Sequence, residues 1–139
     1  MIINLPAVLV ATVVEFIVGA IWYTPLFGKL WGKIHGFDKL PKEDQASMQK
    51  KMMPLLAVQL LLTFVTTCVL SLFVGVLPID WNTFGIAGFF WLGFVAPAQI
   101  ASVIFGGTDP KWLVTKSAIM VGGSFVTLMA AALVLHIMR

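Results

Sequence analysis

The chain has 139 residues, 60% of them apolar and only 11% charged, with a formal net charge of +3. A domain that folds in water carries about half apolar and a quarter charged residues, so a soluble enzyme or nucleic-acid-binding module is excluded, and the pI near 9.3 reflects lysines set beside a membrane. A hydrocarbon core of ~30 Å takes about 20 helical residues to cross; four such spans leave residues 24–53 as the longest remainder, below the ~40 residues that an unaided domain needs.

The first apolar run covers residues 3–23. Its start, Met1-Ile2-Ile3-Asn4-Leu5, has no basic segment, and the run exceeds the apolar core of a secretion signal, so a retained helix is expected. Trp22-Tyr23-Thr24-Pro25 marks its exit, because Trp and Tyr rings favour the membrane interface and proline disfavours helix in the residue before it. Leu26, Phe27, Leu30, Trp31 and Ile34 then recur at helical spacing, with Lys29 and Lys33 on another side. That pattern predicts a short helix in the headgroup plane; the alternative is an apolar loop covering the bundle end. Gly36 ends it.

Pro41, Glu43 and Asp44 predict a new helix start, since proline suits a first helical position and acids suit the first turn. This helix can run through Met48 and Met52 into the second span, residues 54–77, which stops at Pro78. Asp80 is placed to cap the third span, residues 81–105, by accepting from free amide groups. Gly106-Gly107 breaks that helix, Thr108 or Asp109 caps the fourth span, residues 110–137, and Pro110 opens it. Loops of a few residues make the last three spans antiparallel neighbours. The expectation is a single all-α membrane domain over residues 1–139: a polytopic four-transmembrane-helix bundle with a short interfacial helix between helices 1 and 2.

Lys29, Lys33, Lys39, Lys42, Lys50, Lys51, Lys111 and Lys116 all fall on the side shared by the first and third loops, and only Arg139 falls on the other. Short lysine-rich loops stay in the cytoplasm. A multi-pass protein of the cell (inner) membrane is expected, with both termini outside and residues 24–53 as a cytoplasmic interfacial segment.

Ala7, Ala11, Glu15 and Gly19 are spaced by four and share one face of span one. Small residues at that spacing let another helix approach closely, so Glu15 is expected to point into the bundle or a partner. An ionised side chain at mid-bilayer costs at least ~2.5–3.5 kcal/mol. Two readings stand: a proton- or cation-binding site, or a carboxylic acid hydrogen-bonded to a neighbouring helix as packing glue. Gln59, Thr63, Thr67, Ser71 and Gly75 form a second four-spaced stripe, on span two. Its hydroxyls are expected to serve packing or bond back to their own helix, whereas the Gln59 amide has more bonding capacity to fill. In span three, Pro97 frees the carbonyl of Gly93 and predicts a kink, beside Gln99.

Lys116 sits one turn inside span four, where its amine can reach the headgroups or turn inward. Counted at 1.5 Å per residue, Glu15, Gln59 and Gln99 lie about 7–12 Å deep. The sharpest site expectation is therefore one polar cluster of Glu15, Gln59, Gln99 and Lys116 in the inner half of the bundle. Trp31 and Trp112 suit the inner interface and Trp81 the outer one, while Trp91, mid-span, needs a partner for its indole N–H. Cys68 is the only cysteine, so no internal disulfide and no zinc-type spacing exist. His35 and His136 fall on opposite sides of the membrane. No nucleophile–base pair, phosphate loop or carboxylate metal box is present, and no catalytic residue, cofactor or metal is expected.

The stretch Gly19-Ala20-Ile21-Trp22-Tyr23-Thr24-Pro25-Leu26-Phe27-Gly28-Lys29-Leu30-Trp31 resembles the signature of the bacterial membrane family called domain of unknown function 1761. So do Phe90-Trp91-Leu92-Gly93-Phe94-Val95-Ala96-Pro97 and Lys111-Trp112 further on. The resemblance covers almost the whole chain. It implies a small multi-helix membrane protein and brings no assigned activity or catalytic residues. In that family small or apolar residues usually stand where Glu15 sits, which implies that a transport role for Glu15 would not extend to the family. Small multidrug-resistance exporters are similar in size and also carry a glutamate in the first of four helices; that likeness is one of place alone.

The leading expectation is a non-enzymatic membrane protein that associates with itself or with a larger membrane assembly, with the lipid bilayer as its other partner and no nucleic acid. Small-residue faces on span one and on span four (Ala118, Gly122, Gly123) motivate that association. The alternative is a proton-coupled carrier of small apolar or cationic molecules that uses Glu15.

Overall fold

A computed structural model describes residues 3–77 and 81–139. It holds five helices: α1 (Leu5–Leu26), α2 (Gly28–Ile34), α3 (Lys42–Val76), α4 (Thr83–Phe105) and α5 (Pro110–Ile137). All but α2 are long and apolar enough to cross a membrane. No strand is present among the described residues.

Asn4 caps α1, its side-chain oxygen accepting from the Ala7 amide at 3.2 Å. Pro6 in the first turn removes an N–H that has no helical partner anyway. The helix does not end at Tyr23 as its sequence suggests. It continues through a π-helical turn over Trp22–Leu26, in which the Phe27 amide donates to the Trp22 carbonyl at 3.0 Å. Pro25 has no N–H to offer, and the chain responds by widening the turn by one residue instead of stopping.

α2 matches the expected short helix and closes at Gly36, whose φ of 72° is the left-handed conformation that glycine adopts without strain. Pro41 precedes α3 and does not occupy its first turn; Glu43 and Asp44 do. From Lys42 the helix runs unbroken past Pro54 to Val76. The second span and the segment before it are therefore one rod of 35 residues, about 52 Å at 1.5 Å per residue.

Pro78 and Asp80 lie outside the described residues. The described cap of α4 is Asn82, which accepts from the Gly85 amide at 2.6 Å, and the helix starts at Thr83 rather than at 81. Pro97 acts through a second π-helical turn, Trp91–Val95, directly ahead of it. The extra residue in that turn accommodates the ring and the carbonyl that has lost its donor. α4 ends before Gly106-Gly107, and a side chain at Gly106 would run into the Ser102 carbonyl. Asp109 caps α5 by accepting from the Lys111 amide at 3.1 Å, and a 3-10 turn at Pro110–Trp112 leads into the α-helical part, Leu113–Ile137.

The core joins Ala7, Val8 and Ala11 of α1, Leu70 and Val74 of α3, Ile86 and Ala87 of α4, and Leu128, Ala131, Ala132 and Leu135 of α5. α1 and α5 make the most extensive pair, with α4 against α5 and α3 against α1. Alanines on both sides of the α1–α5 contact bring the backbones close, so the two helices gain dispersion energy along their length. At the end carrying the termini, Asn4 Nδ2 donates to the Met138 carbonyl and Arg139 Nη2 to the Val74 carbonyl, each at 2.8 Å.

The other end is looser. From Lys42 to Leu62, α3 has no buried residue, and a buried face begins only with Thr63, Thr67, Leu70 and Val74.

Candidate functional site

Glu15 points into the bundle, 6% exposed, on the face it shares with the buried Ala7 and Ala11. The fully buried Thr67 meets it from α3, with its hydroxyl oxygen 2.7 Å from Glu15 Oε2. The same hydroxyl lies 2.8 Å from the Thr63 carbonyl one turn back, and Thr63 Oγ1 lies 2.9 Å from the Gln59 carbonyl. The α3 stripe read from the sequence thus divides. Thr63 and Thr67 face the acid, while Gln59 stays exposed and reaches only Thr63 Oγ1, at 3.5 Å.

Gln99 belongs to a different knot, between α4 and α5. Its Oε1 accepts from the Ser124 hydroxyl at 2.8 Å. The Trp91 indole N–H, which required a partner, donates to the Val121 carbonyl at 3.0 Å and lies 3.1 Å from Ser124 Oγ. Lys116 turns to the lysine-bearing end, its Nζ 5.9 Å from the centre of the Trp31 ring of α2, within reach of a cation–π contact.

The four residues expected in one cluster therefore occupy four places, and among the described residues no hydrogen bond or ion pair joins any two of them. Similar depth put them in one layer, but helix rotation and order turned them to different neighbours. An open groove of ≈ 910 Å³ at the lysine-bearing end is lined by Tyr23, Thr24, Lys29, Lys33, Asp38 and Gln45 among others. Glu15 is not part of its lining.

The small-residue faces find partners inside the chain in part, Ala118 staying exposed. Ala7 and Ala11 are covered in the core. Gly122 and Gly123 form a notch for Trp22, whose indole N–H donates to the Ile119 carbonyl at 2.9 Å. A Cβ on Gly123 would stand 2.8 Å from Trp22 Nε1. Trp22 is thus a packing residue of the bundle.

Four long apolar helices, closely packed through alanine and glycine and tied by a few buried polar contacts, define a small helical protein of membrane-spanning proportions. The chain belongs to the family described as "Protein of unknown function (DUF1761)", which it matches over residues 6–136. No curated protein and no solved structure matches it.

Proposed function

We propose that this protein is a non-enzymatic assembly element of the cell membrane, with its termini outside and its lysine-rich segments in the cytoplasm. Its tightly packed end holds the fold, and the free half of α3 docks against another membrane protein. The observation that carries this reading is the contrast along α3. Residues 42–62 bury no side chain, whereas Thr63, Thr67, Leu70 and Val74 further along the same helix are buried against the bundle.

Glu15 enters as an internal tie between α1 and α3. Thr67 has one hydroxyl hydrogen and two acceptors within 2.8 Å. Both short contacts are filled when Thr67 donates to the Thr63 carbonyl and a carboxylic acid at Glu15 donates to Thr67 Oγ1. A tie of this kind is among the stronger contacts available in a low-dielectric interior.

Photo-reactive side chains placed at Leu55 and Leu62 in native membranes test the reading, with Leu9, exposed on α1, as the reference. Protein adducts at the two α3 positions and lipid adducts at Leu9 are expected. Lipid adducts alone at all three would overturn it.

One observation favours a second reading, a proton-coupled carrier of small apolar or cationic molecules. The run Gln59, Thr63, Thr67 leads along α3 from its free half to the carboxyl. On this reading Glu15→Gln abolishes substrate-driven proton release while the fold survives; unchanged release rejects it.

A further inference from the structure

We infer that the partner of α3 is a second copy of this chain, paired helix to helix around Gln59. The inference rests on the assembly reading above and names its partner. Met48, Met52, Leu55, Gln59, Leu62 and Thr66 are separated alternately by four and three residues, and every one is exposed. A 3.5-residue repeat keeps one stripe facing a partner helix over its whole length. The stripe lies to one side of the buried face at Thr63, Thr67, Leu70 and Val74, so a helix docked on it does not displace α1.

Apolar side chains alone would not choose a protein partner, because lipid tails are as apolar as leucine. Gln59 does choose. It lies beyond Pro54 in the apolar part of α3, and its amide offers two donors and an oxygen with two lone pairs. Its one contact, 3.5 Å to Thr63 Oγ1, is longer than a good N–H···O bond, and Oε1 accepts nothing among the described residues. An amide left so in hydrocarbon is costly. Thr66, the other polar residue of the stripe, is already satisfied by the Leu62 carbonyl at 3.0 Å.

The occupant that fits is the same chain. An amide has an electropositive donor edge and an electronegative acceptor edge, so across a two-fold axis it is the electrostatic complement of its own copy. Two copies inserted with the same orientation, as the lysine asymmetry requires, bring their α3 helices together parallel and in register. A single polar residue in a 3.5-residue seam is the device that fixes such a register.

The test uses the full chain in native membranes, with Cys68→Ser removing the sole cysteine and single cysteines at Leu55, Leu62 and, on the opposite side of α3, Ala57, so that Gln59 is kept in each. A membrane-permeant oxidant is expected to give a two-chain species from the first two and not from Ala57→Cys. As a second measurement without cysteines, single-molecule photobleaching is expected to show self-association weakened about tenfold by Gln59→Leu and largely kept by Gln59→Asn.

Equal crosslinking at Ala57, or unchanged association in Gln59→Leu, would overturn the inference. Photo-adducts of another mass at Leu55 and Leu62 without any two-chain species would overturn self-pairing and leave the assembly reading standing. Lipid adducts alone would remove both.

Discussion

At the residue scale the account turns on two buried contacts, each with a sharp expectation. Thr67 supplies the hydroxyl that meets Glu15 at 2.7 Å, so Thr67→Val should leave the carboxyl without a partner in the bundle. The expected loss is about 1–3 kcal/mol, the cost of an orphaned buried polar group, read by reversible unfolding in mixed detergent. Glu15→Gln should lose less, because an amide N–H can still donate to Thr67 Oγ1 while that hydroxyl keeps its bond to the Thr63 carbonyl. Equal losses in the two variants would contradict the tie.

Gly123 makes the second expectation. Its missing side chain admits the Trp22 indole, so Gly123→Ala should cost about 1–3 kcal/mol through overpacking and shift the Trp22 emission. Gly75→Ala, where an added Cβ meets nothing within 4 Å, should stay within about 0.5 kcal/mol of the parent. The inward aim of Glu15 was legible in its four-residue spacing from Ala7 and Ala11. Its partner was not, because the α3 stripe offers several polar positions and the packing of two helices distant in sequence selects Thr67. The notch for Trp22 was hidden for the same reason: Gly122 and Gly123, which form it, and Ile119, which accepts from the indole, lie about a hundred positions away in the chain.

At the scale of elements, hydropathy and breakers located all four long helices, and the short helix α2 followed from its lysine and aromatic spacing. Proline positions told where the helices would be disturbed but not how. At Pro25 and at Pro97 the disturbance is a π-helical turn, and one extra residue rotates everything beyond it by about 100° relative to an ideal helix. A cluster inferred from uninterrupted helices therefore mixes residues from different faces. Gln99, placed after such a turn, faces Ser124 rather than Glu15.

α3 shows the opposite case, a proline taken as the start of a span that sits inside one continuous helix. Its two halves should behave differently. In nanodiscs holding one chain each, spin labels from Met48 to Leu62 should be uniformly mobile and accessible. Labels from Thr63 to Val76 should alternate, with immobilisation at Thr63, Thr67, Leu70 and Val74. A periodic pattern through the first half of an isolated chain would mean that α3 is packed along its whole length.

For the whole molecule, the even number of long helices and the contact of Asn4 with the Met138 carbonyl put both termini at one end, and the core gathers there. Lysine placement told which spans share an end, since Lys29, Lys33, Lys111 and Lys116 all lie opposite the termini. The concentration of packing at the terminal end was not readable, because in a chain that is apolar nearly everywhere hydropathy does not separate a face toward lipid from a face toward another helix. What distinguishes them is the rare polar residue: Glu15, Thr67, Gln99 and Ser124 find partners within the bundle, whereas Gln59 on the free half of α3 has one long contact. The most direct measurement is the mass of the particle released from native membranes in its own lipid, by native mass spectrometry. The account predicts a species of at least two protein chains, twice 15.2 kDa for the self-paired form, whereas a single 15.2 kDa chain carrying only lipid would contradict it.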